Sequence, residues 1–253
     1  MKCIKYPILI ISIAILAGCG NESPSTVQAP GADEGMREEI LEMGAAVMQN
    51  MAPIENIHMY VCGFHFYNGE MERQVEAHHY CVQINKEFHQ CLIFDRNDEA
   101  AKLIGIEYII SERLFNTLPE DEKRFWHSHV YEVKSGTLVA PGLPDMAEHE
   151  LMENLVSTYG KTIHTWQVDR GDTLPLGAPR IMMAFTQDGQ LGQELLQDRD
   201  QRMNVSTAEK RKSREDIPAP PIQPGADAWQ QGEVVQVQVR NLSAEPAVNA
   251  ATQ

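Results

Sequence analysis

Residues 58–94, HMYVCGFHFYNGEMERQVEAHHYCVQINKEFHQCLIF, decide the fold class. β-branched and aromatic residues recur through three short runs, 57–67, 75–84 and 89–94, and Asn68-Gly69 and residues 85–87 separate them. Asn-Gly supplies the positive φ angles that a tight hairpin turn demands, so the runs read as consecutive antiparallel strands.

Strand character returns at 104–110, 126–133, 163–168 and 180–185. Between these, Thr117-Leu118-Pro119-Glu120 has the form of a capping box and starts a short acidic helix ending near Phe125. Asp145 and Glu148 fit a second box, opening a helix with Leu151, Leu155 and Tyr159 on one face and Gly160 as its terminator. A polar helix is expected over 192–203, and the charged run EKRKSRED at 209–216 reads as a solvated helix end or linker. On the N-terminal side, Met36, Ile40, Met43, Val47 and Met51 recur at helical spacing before Pro53, which predicts a helix with one buried face. This stripe of methionines reads as core and not as a metal or haem site. The sum is an α+β fold, mainly antiparallel sheet with flanking helices, as a single domain over 35–216. Residues 217–253 form a proline-rich C-terminal extension, in which Val235, Val237 and Val239 alternate with polar residues. That alternation suits either an edge strand added to the main sheet or a disordered tail.

The first residues carry an address. Lys2 and Lys5 precede an apolar run over 8–16 and then Leu16-Ala17-Gly18-Cys19, the order of a signal peptide over residues 1–18. The run is well short of the roughly twenty residues that span a bilayer. A cysteine closing the small-residue box reads as a lipobox, with Cys19 acylated and residues 19–34, rich in Pro, Gly and Ser, serving as tether. Gly20, where an Asp would favour inner-membrane retention, points to the periplasmic face of the outer membrane if the cell is Gram-negative. The formal charge is −15, and loss of Lys2 and Lys5 makes it −17. Such a surface repels nucleic acid and anionic headgroups, so contact with a membrane would come through the lipid anchor.

Several ordered motifs carry a family resemblance: FHFY at 64–67, RQVEAHHYC at 73–81, QCLIFD at 90–95, LIGIEYIIS at 103–111, WHSHVYEVKSG at 126–136, YGKTIHTWQVDRGDTLPLG at 159–177 and AFTQDGQ at 184–190. By these the chain resembles the oil-body-associated protein family over about residues 57–214. The resemblance implies a domain without established catalytic residues, and the plant members that name the family lack a lipobox. Cysteine-containing motifs in those cytoplasmic members imply that Cys62, Cys81 and Cys91 are buried free thiols, although the odd count would permit one disulfide in an envelope.

The chemical signal is histidine. Of nine histidines, six, His65, His78, His79, His127, His129 and His164, fall inside the motifs. Residues two apart on a strand share a face, so His127 and His129 can chelate one metal ion, while simple alternation puts Glu132 on the opposite face. His78 shares a face with Glu76, and His79 with Cys81. A third ligand would come from His78, His79 or His164, and such donors suit zinc, iron or manganese. The other reading is a half-buried polar layer in which these histidines hydrogen-bond to Glu76, Glu107, Glu132, Asp169 or backbone carbonyls. Asp169, Arg170 and Asp172 lie in a loop that is either a ligand contact or a turn held by an Arg–carboxylate pair. Cys62 beside His65 would be a nucleophile pair lacking a third member.

No phosphate-binding glycine loop, nucleophile elbow, HExxH helix or CxxC pair is present. Two functions follow from the sequence. One is an envelope lipoprotein whose domain is a binding or structural module at a lipid surface. The alternative is a metal-dependent enzyme built on the histidines.

Overall fold

In the computed structural model, residues 27–32 and 35–240 are described. The signal segment, Cys19 and most of the tether lie outside them. The elements in chain order are α1 (Met36–Met48), α2 (Ala52–Glu55), β1 (Met59–Tyr67), β2 (Glu70–Asn85), β3 (Phe88–Phe94) and β4 (Leu103–Ser111). Then follow α3 (Glu112–Phe115), α4 (Glu120–Lys123), β5 (His127–Ser128), α5 (Val130–Ser135), α6 (Asp145–Leu155), β6 (Thr158–His164), β7 (Arg180–Met183), α7 (Gln193–Met203) and α8 (Thr207–Ser213).

All strand pairings are antiparallel, and the sheet closes on itself. The order β4-β3-β2-β1-β7-β6 is completed by pairing of β4 with β6, giving a six-stranded barrel with β5 attached to the edge of β6. Register fixes which residues face inward. Val61 lies opposite His79, His79 opposite Ile93, Cys91 opposite Glu107, and Glu107 opposite Thr162. His65 on β1 and Glu107 on β4 belong to strands that are not neighbours, yet their side chains meet, which places this set inside the barrel. An eight-stranded barrel is just wide enough for side chains to fill, so a narrower one leaves an inward polar group no route to bulk water.

The outer face of β1 and β7 is also buried. Phe64, Phe66, Ile181, Met183 and Phe185 pack with Leu195 and Leu196 of α7 and with Trp229. Met152, Leu155 and Val156, at the end of α6 and just beyond it, pack with Val61, Ile109, Val133 and Leu138. Arg199 on α7 is fully buried, its guanidinium donating to the Thr137 carbonyl and to Thr207 Oγ1. The chain beyond residue 216 returns to the barrel: Asp227, buried, accepts hydrogen bonds from the backbone N–H and hydroxyl of Ser128.

The architecture corrects several expectations. The helix α1 forms, but none of its residues is buried, and Met36, Ile40, Met43 and Val47 are exposed. No described element packs on that stripe, so periodicity alone did not make it core. Residues 126–133 are not one strand: β5 has two rungs on β6, after which α5 begins, with the Val133 N–H donating to the His129 carbonyl and Gly136 capping the helix at φ 79°. Burial of Val133 in the core overrides the strand propensity of Val-Tyr-Glu-Val.

Neither capping box is made. Thr117 closes α3 by donating to the Leu114 carbonyl, and Glu148 accepts from the Ala140 N–H and from Arg214. The second predicted helix ends at Leu155, so Tyr159 and Gly160 belong to β6, which ends at His164, and Val168 lies in a 3₁₀ turn. Among the described residues 235–239 form no strand; the Gln236 side chain alone bonds the Ile181 backbone and the Asn68 carbonyl. Cys81 and Cys91 are joined in a disulfide across β2 and β3, because the register sets them directly opposite at a Cα separation of 4.0 Å. Cys62 is free and buried. Among the described residues no helix is long and apolar enough to cross a membrane.

Candidate metal centre

Glu107 is the one acid in the apolar strand LIGIEYIIS, and its inward register carries it into the barrel interior. It is fully buried and ringed by imidazoles from three other elements. His79 Nε2 lies 2.9 Å from its Oε2 and His129 Nε2 3.1 Å from its Oε1. His65 Nε2 is 3.4 Å away and His127 Nε2 3.6 Å away. A void of about 10 Å³ lies among His65, His79, Glu107, His129 and Glu132, walled by Val61, Ile109, Leu138 and Leu155. That is the room of one water molecule or one ion.

Backbone placement makes the cluster fit. A Cβ on Gly160 would stand 2.2 Å from Glu107 Oε1 and 2.5 Å from His127 Nε2, so only glycine leaves space for the two to meet across β6. A Cβ on Gly63 would stand 3.3 Å from Glu132 Oε1. The turn from β5 into α5 is what brings Glu132 in. On a continued strand it would point away from His127 and His129, whereas the three offer ligand atoms within 4.8 Å of one another.

The hydrogen bonds behind the ring decide its chemistry. His79 Nδ1 lies 3.1 Å from the Ala77 carbonyl oxygen, which can only accept. Thr158 donates its hydroxyl proton to the Leu155 carbonyl, so at 2.8 Å its oxygen accepts from His129 Nδ1. Both imidazoles therefore carry their proton on Nδ1, an assignment made from the hydrogen-bond network. Their Nε2 atoms face the carboxylate at hydrogen-bonding distance. In a dry interior these facing atoms need a proton or a metal cation between them. His127 adds to this need, since neither of its ring nitrogens has a hydrogen-bond partner and it is fully buried.

Burial alone would raise the Glu107 carboxyl, but the surrounding imidazoles outweigh it and hold the group well below the usual carboxylate range. Burial pushes His65 down to about 4, only partly offset by Glu107. His129 is lowered by burial, and His127, despite burial, is raised by Glu107 and Glu132. Burial lifts Glu132 to about 8, with Glu107 adding to the effect and His127 opposing it.

The sequence-predicted residues are divided by the fold. His79, His127, His129 and Glu132 converge on the interior, and His164 stands behind them, its Nε2 3.3 Å from His65 Nδ1 and its own Nδ1 without a partner. His78 is elsewhere, on the outer face of β2, bonded to Tyr60 at 2.8 Å and 3.0 Å from Glu76. Asp169 accepts from Tyr67 and Arg73, and Arg170 pairs with Asp172, so that loop is a braced turn. Sequence reasoning did not place Glu107, His65 or Gly160 at the centre. The signal for Glu107 was its isolation in an apolar strand.

The family model described as "Protein of unknown function (DUF1264)" matches residues 51–218. Oil body-associated protein 1B of Arabidopsis thaliana is 44% identical over 219 residues, covering 86% of this chain and 90% of that protein. Oil body-associated protein 1A of Zea mays is 44% identical over 230 residues, covering 90% and 97% respectively. Oil body-associated protein 2C of Arabidopsis thaliana is 42% identical over 205 residues, covering 80% and 86%. No solved structure matches the chain significantly.

Proposed function

Since the chain belongs to the DUF1264 family of oil-body-associated relatives, we propose that its barrel is a metal-binding module holding one first-row divalent ion. The observation that carries this is the convergence of three imidazoles and two carboxylates around one void, with His79 and His129 held through Nδ1 so that their Nε2 atoms aim at Glu107. Metal-bound histidines are typically fixed in this way, with the second nitrogen donating to a carbonyl or hydroxyl.

His127 belongs to both groups whose ligand atoms approach within 4.8 Å here, one with His65 and Glu107, the other with His129 and Glu132. Imidazole with carboxylate suits zinc, iron or manganese. Bound there, the ion would act as a Lewis acid and would ionise Glu132, while Thr158 and the Ala77 carbonyl would keep the rings aimed. The test is thermal unfolding of metal-stripped protein with each ion added back. Ligand at a hundred times Kd stabilises by about 2.7 kcal/mol, and each kcal/mol raises Tm by about 2–4 °C in a chain of this size. The shift is expected in the parent and not in His127→Ala/His129→Ala. Equal shifts in both would refute the assignment.

We also propose that Cys19 is acylated and that the tether holds this module at an envelope membrane, on the outer-membrane side by the Gly20 criterion. The support is the Leu16-Ala17-Gly18-Cys19 box, and the relatives' names associate them with another lipid surface. The detergent phase of a phase-partition experiment should hold the expressed parent and lose Cys19→Ser. Partition unaffected by the substitution would remove the anchor.

A further inference from the structure

One end of the barrel opens into a second, much larger space. A cleft of about 840 Å³ lies where β1 begins and β2 turns into β3, bounded on the other side by α6 and the turn before it. Small-molecule sites in proteins measure roughly 300–1,000 Å³. The wall has two chemistries. Met59, Pro141, Leu143, Leu151 and Leu155 make one side apolar, and His58, Lys86 and His89 stand on the other.

Lys86 is the one full cation among the described residues of that second side, since burial holds His89 below its ordinary value and His58 is bonded through Nδ1 to the Asn56 carbonyl. Glu87 also lines the cleft, but its carboxylate is taken up by Arg113 and by the Ser111 hydroxyl. Lys86 has no acidic partner among the described residues. This cation stands out in a chain of formal charge −15, because the molecule as a whole repels anions. The floor of the cleft is the back of the candidate metal centre. Leu155 lines both the cleft and the small interior void, and Thr158, at the edge of the cleft, is the residue that accepts from His129.

We propose that this cleft binds a small organic anion with an apolar body, of the class of a medium-chain monocarboxylate. Its head group lies at Lys86, with His89 beside it, and its chain lies on Leu143, Leu151 and Leu155. The inference goes beyond the metal reading and does not depend on it, since Leu155 is the one described residue lining both the cleft and the interior void.

The experiment is calorimetric titration of the full chain carrying Cys19→Ser with octanoate, with octanol as the uncharged control and acetate as the chainless one. Octanoate should saturate a single site and bind about tenfold or more tightly than either control, the scale of one charge-assisted contact. Lys86→Glu should weaken octanoate about tenfold and leave octanol unchanged, whereas Leu143→Asp should weaken both. Both positions are at the surface, Leu143 at 45% exposure, so the fold should survive either change. The absence of saturable octanoate binding, parity with octanol, or indifference to Lys86→Glu overturns the proposal. Metal content measured on the same samples separates this result from the fate of the metal reading.

Discussion

Glu132 shows how far a single side chain departs from its sequence setting. Alternation set it opposite His127 and His129, and only the switch from β5 to α5 turns it inward, where burial raises its carboxyl to about 8. In the unfolded chain the same group titrates near its ordinary value of 4.5. Between these two values the unfolded state has lost the proton that the folded state keeps, so metal-free protein loses stability from this group as pH rises from about 4.5 to about 8. Glu132→Gln abolishes that contribution. Chemical denaturation of the metal-free proteins across that window should show the variant gaining on the parent with pH, by up to about 5 kcal/mol. A constant difference would mean that Glu132 is ionised in the folded state. At this scale the convergence of His127 and His129 was legible from their spacing of two, although the chain has already left β5 at His129. Glu107 as the hub was not, because its partners come from elements far away in sequence.

The elements carry the next level of the argument. Strands β1 to β3 could be read from alternation and turn chemistry, because hairpins are local. The passage from β5 to α5 and the start of β6 could not, since Val133 and Tyr159 take their conformation from the core they enter. Gly160 illustrates the difference. Read along the sequence it terminates a helix, but in the fold it is the strand position that admits Glu107 and His127. Gly160→Ala should therefore cost about 1–3 kcal/mol by overpacking and abolish metal binding, checked by denaturant unfolding and by the metal-induced Tm shift. Retention of both would show that the interior relaxes around a methyl group and that contact at this strand does not matter. The disulfide belongs at this scale also: only the register of β2 against β3 makes Cys81 and Cys91 partners, and no count of cysteines predicts it.

Closure is the property of the whole molecule that makes the centre. Antiparallel sheet with flanking helices was legible in the sequence, but pairing of β4 with β6 joins segments that flank β5, α5 and α6, and no local pattern announces it. Without that pairing the carboxylate of Glu107 would face solvent or a helix. With it, one acid and its imidazoles share a dry interior. The C-terminal segment contributes to the same enclosure through Asp227, which holds Ser128 beside His127.

The most direct measurement is elemental analysis of the purified full chain carrying Cys19→Ser, beside the same chain with His127→Ala/His129→Ala. A metal centre predicts close to one equivalent of zinc, iron or manganese in the first and almost none in the second. Metal-free protein in both cases, with the first stable and unresponsive to added ions, would contradict it and leave the histidines as a hydrogen-bonded layer around Glu107.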